Sequence, residues 1–311
     1  MPFRQRLAYF CVIVVWILTL FNTVHHVVEN NNPRHIVKER DLSCTKGTEN
    51  TMLMRYTGLN GVAYEFDIAL HAPELDQVIS KGIKQGLFGP KGTYPSVDEL
   101  HSICEFKFAK CGKGDVLVEV GSAVGMVSLY AATRGMTVYA FDPLPPNIEL
   151  LKASRCMNKL QQNLTIIWGL VGSQSDPVGK WIESEPGNLA ATMRGGGRVR
   201  AKVSVVTIDE TVAEQSIELL LLTCQGCELD ALRGSTAHLK SIPTVVWRHH
   251  SKERSLEIAR VLSGYHFFSL EDARARGGKP QPIHSITDYL STALPAGSHP
   301  NILSVLAYPY P

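Results

Sequence analysis

The sequence predicts an α/β fold: a doubly wound, mostly parallel sheet with helices on both faces, preceded by a single N-terminal transmembrane helix. Three observations predict it. Asp115 to Pro143 reads as strand, glycine turn, helix, strand and acid, one unit of a Rossmann-like nucleotide-binding sheet. Strand-length apolar runs alternate with helical patterns from Asp115 to Trp247. An apolar run from Leu7 to Phe21 follows Arg4 and Arg6.

Extended to Val24, that run makes a helix of about 27 Å at 1.5 Å per residue, enough for a thin bilayer such as that of the endoplasmic reticulum. Positive charge before it and a mixed flank after it (His25, His26, Glu29) place the N-terminus in the cytoplasm and the rest in the lumen. This is a single-pass type II arrangement in the endoplasmic reticulum or Golgi. A cleaved signal peptide, giving a secreted protein, is the alternative, although no small-x-small site follows the run. Residues 1–24 are thus a tip and signal anchor, 25–50 a polar stem, and 51–311 the folded domain.

Within that domain, Met52 to Leu70 reads as two strands around Gly58-Leu-Asn-Gly61. Leu75 to Lys84 has apolar residues on one helical face, Leu75, Val78, Ile79 and Ile83. Gly86 to Gly92 is a loop, and Ser96 caps a helix from Val97 to Ala109. After Pro143 come a helix from Asn147 to Lys159 and a third strand from Thr165 to Val171. Asp176 to Gly197 reads as a long irregular segment ending in Arg194-Gly-Gly-Gly-Arg198, and Ala201 to Val206 as a short edge strand. The Thr207-x-x-Glu210 spacing is a capping box for a helix to about Ser216. Glu218 to Leu222 is the fourth parallel strand, Leu229 to Leu239 a helix, Thr244 to Trp247 the fifth strand and Leu256 to Leu262 a helix. The tail from His266 to Tyr308 supplies one or two antiparallel edge strands.

The carboxyl ends of such strands line the ligand crevice. Here they carry Glu119, Gly121, Asp142, Gly169, Thr223 and His249. The turn Gly121-Ser122-Ala-Val-Gly125 is G-x-x-x-G and lacks the dinucleotide fingerprint G-x-G-x-x-G. That makes a nicotinamide-dependent oxidoreductase the weakest reading. Glu119 stands two residues before the turn, and its negative charge disfavours a pyrophosphate. It suits a ligand with positive charge and no phosphate. S-adenosylmethionine (SAM), with a sulfonium, an ammonium and a ribose, meets that description. Asp142, about 20 residues after the turn, can accept from ribose hydroxyls. With 31 Lys and Arg against 29 Asp and Glu, the net charge of +2 gives no argument for nucleic acid as a partner. No His, Cys and carboxylate spacing argues for a metal.

At this point the chain resembles the FkbM-type SAM-dependent methyltransferases, over roughly Tyr56 to Tyr308. Three blocks carry the resemblance: Val118-Glu-Val-Gly-Ser-Ala-Val-Gly125, Ala140-Phe-Asp-Pro-Leu-Pro-Pro-Asn147, and Val206-Thr-Ile-Asp-Glu210 followed by Gln225-Gly-Cys-Glu228 and Leu232-x-Gly234. It implies a seven-stranded class I methyltransferase fold and methyl transfer from SAM, commonly to an oxygen. The cofactor-binding residues it implies are Glu119, Gly121, Ser122, Gly125, Asp142 and Pro143, with Asn147 nearby. With the anchor, it implies a membrane-attached enzyme for a glycan, glycolipid or other small hydroxyl acceptor in the secretory pathway. The chain departs from the family pattern at three places. Leu221-Leu-Thr223 stands where the family has K-x-D, Ala123 replaces the asparagine of the turn, and Val246-Trp-Arg-His249 lacks a glutamate near the end of the fifth strand. These departures support a second reading, a catalytically impaired methyltransferase-like binding module.

A base near an acceptor oxygen would come from Glu228, His249 or His250. Glu228 opens a helix, whose dipole favours its ionised form; the other reading is that it only caps that helix. His249 ends a strand, where a histidine is more often packed or solvated. Cys224-Gln-Gly-Cys227 invites a redox reading, but the resemblance accounts for its Gln and Gly without one. Six cysteines lie beyond the anchor, an even number suited to an oxidising compartment, and Cys104 and Cys111 are placed to pair. Asn163-Leu-Thr165 is a glycosylation acceptor if the domain is lumenal.

Overall fold

The computed structural model describes residues 50–57, 63–85, 97–185, 188–192, 199–212, 215–249, 251–270, 280–292 and 303–309. The sequence-predicted anchor, nearly all of the stem, the Gly58–Gly61 turn, the Gly86–Gly92 loop, Ser96, the Arg194–Arg198 glycine run and His250 lie outside these residues. Among the described residues, no helix is long and apolar enough to cross a membrane.

The described fold opens with an antiparallel hairpin, β1 (Thr51–Thr57) and β2 (Ala63–Ala69), then α1 (Ile79–Lys84) and α2 (Val97–Glu105). The expected βαβ unit follows as β3 (Val116–Val120), α3 (Met126–Thr133) and β4 (Thr137–Asp142). α4 (Pro145–Met157) and β5 (Leu164–Trp168) complete one half of the main sheet. The chain then leaves for a second, four-stranded sheet of β6 (Leu170–Val171), β7 (Asp176–Glu185), β8 (Asn188–Thr192) and β9 (Val199–Val206). It returns through α5 (Ile208–Val212) to β10 (Ile217–Leu222), α6 (Glu228–Arg233), α7 (Thr236–Leu239), β11 (Thr244–His249) and α8 (Lys252–Val261). The end of the fold is β12 (Tyr265–Ser269), β13 (Gln281–Pro282), α9 (Ile286–Thr292) and β14 (Leu303–Pro309).

The main sheet runs β13-β12-β14-β11-β10-β3-β4-β5, with the five strands from β11 to β5 parallel. β14, β12 and β13 extend it antiparallel, as expected of the tail. The winding direction reverses between β3 and β10, which creates the crevice at their carboxyl ends. The central parallel strands β3 and β10 are covered on both faces, so their sequences read as nearly continuous apolar residues. Leu117 packs into one core with Leu100, Leu129, Leu151 and Phe66 of the hairpin. Val116, Val118 and Val120 pack into the other, with Ile208, Leu232, Ile258 and Leu290.

Several elements differ from expectation, each for a local reason. The helix expected from Leu75 starts at Ile79, because Asp76 accepts hydrogen bonds from the N–H groups of Val78, Ile79 and Ser80 at 3.2, 3.1 and 2.8 Å. Leu75 is exposed instead of facing the core. The helix from Val97 stops at Glu105, and Lys107 turns left-handed (φ 61°). The expected third strand divides at Gly169: Trp168 pairs beside Asp142, whereas Leu170 and Val171 pair with β9. The segment from Asp176, expected to be irregular, forms β7 and β8. Pro177 and Gly179 hid it, since Gly179 (φ 76°) falls where the β7–β9 register shifts. β9 is correspondingly no edge strand; it lies between β6 and β7. The helix expected over Leu229–Leu239 breaks at Gly234-Ser235, and the Asp209 carboxylate accepts from the Ala237 N–H at 3.0 Å to cap the second piece. At the capping box, Thr207 Oγ1 accepts from the Glu210 N–H at 3.2 Å.

The turn glycines answer to packing within the chain. A Cβ on Gly121 (φ 92°) would sit 2.9 Å from the backbone of Thr223 and Cys224, and one on Gly125 (φ 86°) would sit 2.0 Å from Leu151 Cδ1. At these two positions the loop after β10 and a side chain of α4 come close to the turn backbone. Gly114 has the same left-handed backbone (φ 88°) with nothing within 4 Å of its absent Cβ. Gly114→Ala is thus expected to cost only backbone strain, about 1 kcal/mol. Gly125→Ala adds a core clash and is expected to cost about 2–4 kcal/mol. Urea midpoints of the two variants check the difference.

Candidate functional site

The crevice is built by alternation along two neighbouring strands. In β3, Leu117 faces the first core, so Glu119 points to the same face, where the hydroxyl of Ser128 on α3 hydrogen-bonds its carboxylate. In β4, Ala140 is the register partner of Glu119, and Asp142 lies two residues further along that face. Both acids are buried, and they are close enough that the charge of Asp142 acts on Glu119.

Asp142 fixes the turn between them. Its Oδ2 accepts from the Ala123 N–H at 2.9 Å, and its Oδ1 accepts from the Leu144 N–H at 2.9 Å and from Asn147 Nδ2 at 3.1 Å. Asn147 Oδ1 in turn meets His71 Nε2 at 2.9 Å, which ties the segment after the hairpin to the crevice. Sequence reading did not find His71; nothing at its position marks it, and only the fold brings it to Asn147. Pro143 opens the way into α4, and its carbonyl accepts from Trp168 Nε1 at 2.9 Å. Ala123 takes a left-handed conformation (φ 49°), the region that suits the asparagine it replaces.

Burial sets the electrostatics. It pushes Glu119 up to about 7, against the Ser128 hydrogen bond and the Arg248 charge, which pull it down. It pushes Asp142 up to about 6, against the donors from Leu144, Asn147 and Ala123. Burial also raises Glu228.

The catalytic candidates stand differently. Glu228 opens α6, but its Oε2 accepts from the Gly226 N–H at 2.8 Å, so the carboxylate is held against its own loop. The backbone of His249 ends β11; its side chain lies outside the described residues. Thr223 Oγ1 donates to the backbone oxygens of Val120 and Gly121 at 3.1 and 3.0 Å and so stitches β10 to the turn. Cys224 and Cys227 are joined in a disulfide, as are Cys104 and Cys111. Asn163 Nδ2 lies 3.4 and 3.5 Å from the carbonyls of Gly135 and Met136. Among the described residues, no cluster of His, Cys, Asp and Glu is arranged to hold a metal.

The fit of a cationic nucleoside ligand rests on one orphaned atom and two acids. Ser122 Oγ, inside the glycine turn, is buried and has no hydrogen-bond partner among the described residues. It lies in the turn that Asp142 pins down. Among the described residues, Asp142 Oδ2 takes a single donor and keeps acceptor capacity. The residues present therefore suit SAM.

Residues 112–269 match the family model of the FkbM methyltransferase domain, just over half of the chain. The chain belongs to the FkbM methyltransferase family. A relative, the hexuronic acid methyltransferase AglP of Haloferax volcanii, is 25% identical over 193 residues, covering 57% of this chain and 77% of its own. Among solved structures, a TehB-like SAM-dependent methyltransferase from Corynebacterium glutamicum matches with a TM-score of 0.40 at 13% identity, over 74% of this chain and 96% of its own. An rRNA methylase from Streptococcus thermophilus matches with a TM-score of 0.38 at 13% identity, over 68% and 96%. Superpositions this loose carry no functional argument. Membership of the FkbM family rests on the domain match, and the class I arrangement is read from the strand order.

Glu119 must ionise to hold a cation, and in the free protein its carboxyl stays protonated up to about pH 7. SAM affinity is therefore expected to rise about tenfold per pH unit below that point and to level off above it. Glu119→Gln is expected to flatten the profile, as checked by calorimetry between pH 5.5 and 8.5. For the free chain the sign is opposite. Glu119 and Asp142 both bind protons more tightly folded than unfolded, so stability falls as pH rises from about 4 to 7.

Proposed function

We propose that this protein binds SAM and transfers its methyl group to a hydroxyl oxygen of a glycan, glycolipid or other small acceptor in the secretory pathway. The observation that carries the reading is the pair of buried acids on one face, at adjacent strand ends, with a turn between them that holds a hydroxyl without a hydrogen-bond partner among the described residues. Glu119 is the group for the cationic amino-acid end of SAM, Asp142 for its ribose, and Ser122 and the turn backbone for the part between. Gly121, Gly125, Pro143 and Asn147 shape and stiffen that cradle. The relative that acts on a hexuronic acid supports a sugar acceptor. The Cys104–Cys111 and Cys224–Cys227 disulfides support an oxidising compartment, in keeping with an anchor over residues 7–24 and a lumenal domain.

SAM supplies the electrophilic methyl when bound. The chain aligns donor and acceptor and keeps Glu119 charged against the cofactor's positive end. Glu228 is the base proposed for the acceptor proton: burial raises its affinity for a proton, and it sits at the carboxyl end of β10. To act, it must exchange its hydrogen bond from Gly226. His249 is the second candidate.

The alternative, a binding module without turnover, is favoured by Thr223, whose hydroxyl is committed to backbone oxygens and takes no proton. Calorimetry of the full-length protein with SAM tests the binding step. Incubation with labelled SAM and fractionated glycans and glycolipids tests transfer. Loss of SAM binding in Asp142→Asn is the expected result, with a lowered melting temperature because an amide cannot accept from all three of its donors. If Glu228 is the base, Glu228→Gln slows transfer by about 10²–10⁴-fold with SAM affinity retained. SAM binding with no acceptor labelled in any fraction would favour the module.

A further inference from the structure

Arg248 is the cation that β11 presents to the same crevice. Leu221 of β10 lies between Glu119 on one side and Val246 on the other, so these three residues form one row across the sheet. Val246 packs into the same core as Leu117, so Arg248, two residues on, lies on the face of Glu119 and Asp142, nearer the crevice. Across the strand ends the order of charged side chains is Asp142, Glu119, Arg248: acid, acid, base. The guanidinium is largely buried, with 13% of its side chain exposed, and lies 3.7 Å from the Glu99 carboxylate on α2. Its charge also reaches Glu119.

This arrangement matches an amino-acid head group. On the reading that SAM lies with its ribose at Asp142 and its ammonium at Glu119, the carboxylate borne by the same carbon must lie beside Glu119. The side away from Asp142 carries Arg248. We propose that Arg248 binds a carboxylate at the methyl-transfer end of the crevice, either that of SAM itself or that of an acidic acceptor such as a uronic acid. A guanidinium fork matches a carboxylate with two parallel N–H donors and can serve two acids at once. The Glu99 carboxylate, 3.7 Å from the guanidinium, is the acid that an incoming carboxylate joins or competes with.

The test is a binding cycle on the full-length protein. SAM and decarboxylated SAM are titrated into wild type, Arg248→Gln and Glu99→Gln. The complexes with S-adenosylhomocysteine are titrated with glucuronate and glucose. If the carboxylate is that of SAM, wild type prefers SAM over its decarboxylated form by about 10- to 100-fold. Arg248→Gln then erases the preference by weakening SAM alone. If the carboxylate belongs to the acceptor, Arg248→Gln keeps the SAM preference and loses a preference for glucuronate over glucose. Both preferences unchanged in Arg248→Gln overturn the proposal. Should that variant fail to fold, Glu99→Gln decides, because it removes the competing acid and is expected to raise the ratio; an unchanged ratio is again fatal. A wild type that binds neither SAM nor its decarboxylated form sinks the cofactor reading itself, a result distinct from a loss of carboxylate discrimination.

Discussion

Two carboxylates share one buried face at the tips of β3 and β4, and the geometry of the crevice follows from how the chain tolerates them. Burial of an acid without a full counter-charge is unfavourable, and both Glu119 and Asp142 respond by holding their protons more tightly. The chain eases Asp142 with three donors: Ala123, Leu144 and Asn147. Those donors come from the glycine turn and from the start of α4, so relieving the acid also fixes the turn and the helix that frame the crevice. Glu119 receives less, the Ser128 hydroxyl and the more distant charge of Arg248. It is left as the acid with most to gain from a cation. The same imbalance that costs the free protein stability is what a cationic ligand at Glu119 would relieve.

The glycines belong to a different constraint. Gly121 lets the backbone of Thr223 and Cys224 come against β3, and Gly125 makes room for Leu151. Thr223 then bridges to the oxygens of Val120 and Gly121. The reversal point between β3 and β10 is thereby closed by backbone contact, and the Cys224–Cys227 disulfide and the Glu228–Gly226 hydrogen bond stiffen the loop just above it. In this chain a residue that cannot act as a base, Thr223, holds the floor of the site in place.

What the sequence made legible, and what it did not, follows the range of the forces involved. The βαβ unit from Val116 to Asp142 is readable because its signals are local: apolar strands buried on both faces, left-handed turn positions, an acid at a strand end. The antiparallel tail and the Cys104–Cys111 pair were legible for the same reason. β7 was not, since Pro177 and Gly179 imitate a loop, and its strand character comes from pairing with β9 and from Ile182 packing on Leu144 and Val203. The break in the Leu229–Leu239 helix depends on Asp209, some 20 residues or more before it in the chain. His71 and Arg248 reach the crevice only through tertiary placement. The acids could be named from the sequence, but their partners could not.

The position of Glu228 shows how far proximity alone can be taken. It opens α6 at the carboxyl end of β10, as expected of a base, yet its carboxylate is turned onto the N–H of Gly226 and its neighbours Cys227 and Leu229 pack towards the second core. Glu119, Asp142 and Arg248 lie on the first-core face. A proton acceptor that serves a reaction on that face has to leave its loop, and the disulfide on either side of Gln225 and Gly226 limits how far the loop can follow. Methyl transfer asks less of a base than of alignment, because the acceptor proton can leave once the new bond to carbon is forming. A crevice whose acids, turn and adjoining strands are tied together by hydrogen bonds is suited to that demand even where the proposed base is held at the rim.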